Sequence, residues 1–376
     1  MKTIKIGIIG WGFMGRTPAH ALRAMPLFYP GAGFRAEIAG ICSRRLEKAR
    51  EAAEELNVPY YTDDYRQLLA REEIDAVSVC TPNALHEEIA LAALKAGKHL
   101  YIDKPLADTA QGARRIADQA EKSGVFTRMV FNNRYLPVTL RARELVDQGR
   151  IGRVLSFEGR YLHSGSIDPN KPIGWKQTLQ GGVLLDLGSH VLDLITWLCG
   201  YPEAVFCAQR TLYDTRPTRE GGATRDLSDD QTLMLLRLPG GAMGQVEASK
   251  IATGANDELT VEIRGEKGAL AFDLMQPNYL RFYDNTRPEA PLGGERGFQW
   301  IETVARYPSP GGTFLPPKNS IGWDRGHLHC YYTFLDCLAR GAAPDNGVGE
   351  GARLQMLMER AAQSAAQGRW VDTGDL

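Results

Sequence analysis

The sequence predicts a two-domain α/β protein: an N-terminal, doubly wound parallel (Rossmann-type) sheet, then an α+β domain on an open, mainly antiparallel sheet. Three observations carry this. The chain has 376 residues, beyond the roughly 250 to 300 at which a single hydrophobic core stops growing. From Lys2 to Phe131, apolar runs alternate with helix-patterned segments, as βαβ units do. Beyond Arg134 several apolar runs follow one another across short turn sequences, which implies hairpins rather than crossovers. The expected domains are residues 1–131 and 132–376.

In chain order, the first strands are "IKIGIIG", "AEIAGICS", "DAVSVCT", "KHLYIDKP" and "VFTRMVF", with helical patterns such as "LEKAREAAEEL" and "LHEEIALAALKAG" between them. After Arg134 come a helix near Val138–Gln148, a strand near Val154–Leu162 and the apolar helix pattern "GGVLLDLGSHVLDLITWL". Strand-like runs then extend from about Val205 to Tyr283, with turn signals at Pro239–Gly241 and Gly265–Gly268. The Gly- and Pro-rich stretch from Asp284 to Gly322 is too long for an ordinary connection and reads as a functional or mobile loop. Helices near Gly326–Ala339 and Gly349–Ala366 close the chain.

Composition narrows the function classes. With 43% hydrophobic and 24% charged residues the chain is globular rather than disordered. Its 44 basic and 45 acidic residues leave a net charge of -1 without a block of one sign, which argues against nucleic acid or membrane surfaces as partners. Six cysteines without a CxxC pair, and a start that lacks a signal-like segment, fit a reducing cytoplasm. An open sheet face favours a homo-oligomer, because a large apolar face seeks cover.

The stretch "GIIGWGFMG" puts Gly10, Gly12 and Gly15 in GxGxxG spacing between a strand and a helix, the context in which this motif signals dinucleotide binding. Gly10 allows the tight turn, Gly12 the approach of a pyrophosphate, and Gly15 close helix packing, with Phe13 and Met14 at the helix N-terminus. At the second strand's end an NAD-specific site carries an acidic residue; here stand Ser43, Arg44 and Arg45. A hydroxyl and two guanidinium groups suit a 2′-phosphate, so NAD(P) is expected with NADP favoured over NAD. Two further strand ends reach the same cleft: "CTPNALH", with Thr81, Pro82, Asn83 and His86, and "YIDKP", with Asp103 and Lys104. Pro105 holds Lys104 extended and allows a cis bond.

The glycine turn, "TPNALH", "DKP", "FNNRYLP" and "GGVLLDLGSHVLDL", in this order and spacing, resemble the Gfo/Idh/MocA family of NAD(P)-dependent oxidoreductases. The resemblance runs from about residue 3 to 283 and resumes in the closing helices. It implies that Lys104, Asp186 and His190 line the substrate site, from the family's EKP and DxxxH motifs, with Asp103 in place of the usual Glu. It also implies cofactor contacts from Asn132 and Arg134. A subset of the family, similar in "YLHSGSIDPNKPIGW", oxidises hydroxyls of anhydrosugars and glycosides, which implies a pyranose substrate.

The helix itself supports this assignment. At about 100° per residue, Asp186, His190, Asp193 and Trp197 share one stripe, while Leu184, Leu187, Val191, Leu194, Ile195 and Leu198 share another. One stripe is expected to pack on a core and the other to meet a cleft, with Asp186 and His190 one turn apart. A catalytic zinc site needs a third protein ligand, and none stands near this pair, so no metal is expected. Tyr161, His163 and Trp175, just before the helix, suit sugar recognition, with scaffold packing an equal reading for Tyr161 and Trp175. His327 and His329 open a late helix near the Gly- and Pro-rich stretch and are candidates to reach the substrate, but isolated histidines are more often structural, so they are left out of the expected site.

The resemblance implies reversible hydride transfer between NAD(P) and a secondary hydroxyl of a sugar, glycoside or cyclic polyol. His190, with an ordinary imidazole pKa near about 6.5, takes the hydroxyl proton. Lys104 stabilises charge on the oxygen, and Asp186 orients a hydroxyl or the imidazole. A redox-dependent glycosidase of the same family is an alternative. A nucleotide-sensing regulator is disfavoured, because it would be expected to lose the proton-handling pair.

Overall fold

A computed structural model describes residues 1–174, 181–218, 221–374 and 376. It divides into two units by contacts, Met1–Tyr135 with Ala305–Gln355, and Leu136–Val304 with Met356–Leu376.

In the first unit the strands are β1 (Lys2–Ile9), β2 (Phe34–Cys42), β3 (Tyr61–Thr62), β4 (Ala76–Val79), β5 (His99–Ile102) and β6 (Thr127–Met129), and the helices α1 (Phe13–Phe28), α2 (Leu46–Leu56), α3 (Tyr65–Leu69), α4 (His86–Lys95) and α5 (Ala110–Ser123). All strand pairs are parallel, in the order β3-β2-β1-β4-β5-β6. The register pairs Ile9 with Cys42 and Val79, and Val79 with Ile102. One residue further on, Gly10, Ser43, Cys80 and Asp103 therefore stand in a row at the carboxyl edge, where ligands of such sheets bind. The apolar strands are buried on both sides, with Ile4, Ile6, Ile8 and Ile9 at 2% exposure or less, as expected where helices cover both faces.

In the second unit α6 (Pro137–Asp147) and β7 (Val154–Leu162) lead to a wide, π-type turn at Leu184–Gly188 and α7 (Ser189–Cys199). Strands β8 (Ala204–Arg210), β9 (Thr215–Pro217), β10 (Ala223–Arg225), β11 (Gln231–Arg237), β12 (Met243–Ser249), β13 (Glu258–Gly265), β14 (Gly268–Asp273), β15 (Tyr279–Asp284) and β16 (Phe298–Glu302) follow in this unit; later in the chain α8 (Trp323–Arg340) falls in the first unit, α9 (Val348–Gln367) is divided between the two after Gln355, and β17 (Val371–Asp372) falls in the second. The main sheet has nine strands in the order β16-β15-β14-β13-β7-β12-β11-β8-β17. Among the described residues of this sheet only β7 and β12 pair in parallel, and this brings Leu162 beside Ser249. Helix α7 lies against β7 where Gly159 leaves room: a Cβ there would come within 2.7 Å of Val191 Cγ2. On β11 every second residue is buried while Leu233 and Leu235 stay exposed, so one sheet face packs and the other does not.

Two sequence expectations change. Helix α8 belongs with the first unit, where Leu328, Tyr331, Phe334 and Leu335 join Ile4, Ile6 and Tyr101 in one core, so a single cut at 131/132 does not divide the chain. The stretch Asp284–Gly322 is not one loop. Its residues Phe298–Glu302 pair with Tyr279–Tyr283 as an edge strand, and its part from Ala305 onward belongs to the first unit.

Candidate functional site

In the first unit the glycine turn has backbone reasons for each glycine. Gly10 has φ +101° and a Cβ there would lie 2.6 Å from Cys80 O, while a Cβ on Gly15 would lie 1.9 Å from Gly10 O. At Gly12 a Cβ would meet nothing within 4 Å, and Gly12 caps α1 without a side chain bonding the first amides. The helix N-terminus at Phe13 and Met14 thus leaves N–H groups for an anion. The Thr81 hydroxyl, at the end of β4, is buried without a hydrogen-bond partner, which marks a place a ligand can satisfy. The residues present fit a dinucleotide pyrophosphate.

Ser43 is half-buried and Arg44 and Arg45 are exposed beyond β2. Lys104 and Asp103 are half-buried, with Lys104 N donating to Asp103 Oδ1 at 2.9 Å, and the Lys104-Pro105 bond is cis. Pro82 is exposed and Asn83 buried. His86 differs from its expected role. It is fully buried, with Nδ1 2.8 Å from Pro105 O and Nε2 2.9 Å from Thr81 O. Both ring nitrogens face main-chain carbonyls, one of which a neutral imidazole bonds through its single N–H, so the ring sits between the end of β4 and the turn that carries Lys104 instead of presenting itself to a ligand. Burial lowers its pKa, opposed by Asp103 and the carbonyls. Asn132 and Arg134 are buried, and Arg134 pairs with Glu350 at 3.1 Å.

His327, read as structural, lines a small cavity with Met14, Tyr101 and Asp103. Its Nε2 is buried without a partner, and burial together with the nearby Lys104 charge lowers its pKa to about 3. His329 does what was expected of it, bonding the Tyr29 hydroxyl at 2.9 Å within an aromatic cluster.

In the second unit the helix pattern is broken where the chemistry sits. Leu184–Gly188 forms the π-type turn, which holds an extra residue per turn, so the stripe assumed at 100° per residue does not continue through it. Asp186 and His190 are half-buried, whereas Asp193, placed by periodicity on their stripe, is 2% exposed and joins the core side. Leu184, Leu187, Val191, Leu194, Ile195 and Leu198 are all buried, as their stripe predicts. Gly182, at φ +87°, opens the turn, and a Cβ there would strike Asp229 Oδ1 at 2.0 Å.

Around this turn the structure gathers a polar cluster. The rings of Tyr161 and His190 meet edge to face at 5.7 Å. The Tyr161 hydroxyl donates to Asp257 Oδ1 at 2.7 Å, and His163 Nε2 lies 2.9 Å from the same oxygen. Burial pushes the Asp257 carboxyl up, but the bonds from His163 and Tyr161 outweigh it and hold the pKa below its usual value. Lys250 Nζ lies 3.1 Å from Asp186 Oδ2. Trp175 lies outside the described residues. Among those described, no group of three or more His, Cys, Asp or Glu side chains is placed to hold a metal ion, and no helix is long and apolar enough to cross a membrane.

Sequence reasoning missed Lys250 and Asp257. Lys250 had a signal, since it follows Val246 and Ala248 at every second position on the buried phase of β12. Asp257 had none, lying in the polar run "TGANDE".

Comparison with known proteins bears on both units. A profile described as an oxidoreductase family with an NAD-binding Rossmann fold matches residues 4–131, and a Gfo/Idh/MocA C-terminal domain profile matches residues 139–271. Levoglucosan dehydrogenase of Pseudarthrobacter phenanthrenivorans is 31% identical, over 99% of this chain and 98% of that one. Myo-inositol 2-dehydrogenase of Thermotoga maritima is 27% identical, over 79% of this chain and 81% of the other. A solved levoglucosan dehydrogenase in complex with NADH and levoglucosan superposes with a TM-score of 0.93 at 31% identity, covering 99% of this chain and 100% of that one. With both halves matched by their own profiles and a relative aligned over nearly its whole length, the chain belongs to the Gfo/Idh/MocA family of oxidoreductases.

Proposed function

We propose that the chain is an NAD(P)-dependent dehydrogenase that oxidises a secondary hydroxyl of a sugar, glycoside or cyclic polyol. The observation that carries this reading is the polar cluster of the second unit: half-buried His190 edge-on to Tyr161, with Asp186, His163 and Asp257 beside it. Such a cluster offers an imidazole base among groups that exchange hydrogen bonds with hydroxyls. His190 accepts the hydroxyl proton, Asp186 orients the acceptor, and the Lys104 ammonium donates to the oxygen as its negative charge grows. The nicotinamide, when bound, supplies the hydride acceptor. Gly10, Gly12, Phe13, Met14 and Gly15 hold the pyrophosphate, with Thr81, Pro82, Asn83, Asp103, Asn132 and Arg134 on the cofactor side. Tyr161 and His163 hold the sugar, and a pyranose ring is favoured because levoglucosan dehydrogenase is similar over nearly the whole chain.

The test is to incubate the protein with either nicotinamide cofactor and a panel of sugars, glycosides and inositols, following absorbance of the reduced nicotinamide. Reduction with a cyclic substrate is expected. Aglycone release without net reduction would make it a glycosidase, and failure to bind either dinucleotide would end the proposal.

For the cofactor, Ser43, Arg44 and Arg45 support NADP, because exposed guanidinium groups at the end of β2 suit a ribose phosphate. The specific observation on the other side is that the similar solved structures hold NADH. Replacing Arg44 and Arg45 together with Ala is expected to weaken NADP+ binding about 10- to 100-fold, from the loss of charge-assisted bonds, and to leave NAD+ nearly unchanged. Fluorescence titration with both cofactors decides; equal affinity changes would remove the argument.

Asp257→Asn provides the substrate-side prediction. Tyr161 and His163 both bond the same Asp257 Oδ1, and an amide keeps an oxygen there but loses the negative charge that strengthens both bonds. The KM for the sugar is expected to rise about tenfold, the cost of one net hydrogen bond, with kcat little altered. A fall in kcat at constant KM would show that Asp257 serves the chemistry instead.

The exposed apolar side chains of the nine-stranded sheet, including Leu233, Leu235 and Trp300, support a homo-oligomer. No disulfide links the six cysteines, all of them among the described residues, which supports a cytoplasmic setting.

A further inference from the structure

We propose that Lys250 is a positioning residue for the dehydrogenase reaction, its ammonium holding Asp186 as a carboxylate in a fixed orientation beside His190. The inference rests on the reading that Asp186 and His190 serve the substrate. Lys250 follows the last residue of β12, and its backbone is fixed on both sides: its N–H donates to Asp230 O at 2.8 Å and its carbonyl accepts from Ser166 N at 2.9 Å. The side chains of Lys250 and Asp186 are 11% and 15% exposed and meet at 3.1 Å. Lys250 Nζ also lies 3.5 Å from Gly182 O, the carbonyl that accepts from Asp186 N at 3.2 Å. The lysine therefore touches both the first carbonyl of the wide turn and the carboxylate within it.

The surrounding charges explain why such a cation is needed. Asp229 faces the turn from the segment before β11 and accepts from Leu184 N at 3.0 Å and from the Thr232 hydroxyl. Tyr161 approaches Asp186 from the end of β7 and binds Asp257 ahead of β13. His190 follows on α7. Lys250 also acts on Asp229, whose carboxyl burial pushes up, and Asp186, with its side chain only 15% exposed, sits where poor solvation disfavours a lone carboxylate. Lys250 supplies the opposing charge, and a buried ion pair loses far more when one member is removed than the pair contributes as a whole. A protonated Asp186 would be a donor in place of an acceptor and would no longer hold an imidazolium or a substrate hydroxyl in the same way.

The experiment measures kcat/KM against pH for Lys250→Met, Lys250→Arg, Asp186→Asn and the Lys250→Met/Asp186→Asn double variant. Lys250→Met is expected to lower kcat about tenfold at neutral pH and to move the acidic limb up by about one pH unit, the scale of losing a close opposite charge. Lys250→Arg is expected to keep the limb in place. In the Asp186→Asn background the Lys250→Met change is expected to add little, because its target is gone. If Lys250→Met does not give a cooperative melt, Lys250→Gln carries the neutral comparison and Lys250→Arg the charged one. Full activity in Asp186→Asn would overturn the reading of the substrate site. An impaired Asp186→Asn with an unmoved limb in the neutral Lys250 variant, or a limb that Lys250→Arg shifts equally, would overturn the role of Lys250 alone.

Discussion

Replacing Lys104 with Met is expected to cut kcat/KM about a hundred- to a thousandfold, the usual cost of removing one donor to a developing oxyanion, while dinucleotide binding stays largely intact. Met keeps a flexible chain of similar length, so the change removes charge rather than volume. The turn that carries Lys104 is held without its ammonium: Lys104 N bonds Asp103 Oδ1, and His86 sits against Pro105 O and Thr81 O. Loss of turnover therefore does not require loss of fold, and an unchanged thermal melt is part of the expected result. Steady-state reduction of the nicotinamide gives the rate and fluorescence titration the affinity. A variant that turns over at the wild-type rate would remove Lys104 from the chemistry, and one that no longer binds the dinucleotide would make it a cofactor ligand first.

The glycine turn was legible in the sequence because its requirements are backbone ones, and only glycine fits where a Cβ would lie 1.9 Å from a carbonyl oxygen. The parallel sheet was legible for a similar reason, since strands buried on both faces read as continuous apolar runs. Helix α8 was assigned to the second domain because sequence order says nothing about which core an amphipathic helix will join, and Leu328, Phe334 and Leu335 suit either. Phe298–Glu302 was missed because an edge strand needs pairing on only one side and lies within a Gly- and Pro-rich stretch. Asp193 follows His190 within the regular turns of α7 and is buried because that helix is covered on nearly every side, Val191 through Thr196 all being buried; what the 3.6-residue period does miss is the wide turn at Leu184–Gly188. Such wide turns frequently accompany functional sites, and here it is the one that carries Asp186. Asp257 was beyond reach, because the bonds that bring it to Tyr161 and His163 span 96 and 94 residues of chain.

His190→Ala is expected to lower kcat about a hundred- to ten-thousandfold, the range a positioned general base supplies. The reason lies in what remains. His190 stands at the second position of α7, after the wide turn, and its ring meets Tyr161 edge to face without being part of the apolar stripe that holds the helix. Val191, Leu194, Ile195 and Leu198 are fully or nearly fully buried and keep α7 on its sheet, and Ala has the highest helix propensity. The variant is therefore expected to fold and to bind dinucleotide, losing the acceptor alone. Without that acceptor the proton must go to solvent, so the residual rate is expected to rise with pH as hydroxide takes over, where the parent levels off once its base is deprotonated. Tyr161 cannot take the role in its place, because burial and the Asp257 carboxylate beneath it push the phenol well above its ordinary pKa and hold its proton on the Asp257 side. A His190→Ala protein with wild-type turnover and an unchanged pH profile would leave the base to be found elsewhere. One with lost turnover and a profile that climbs without levelling would place it on this imidazole.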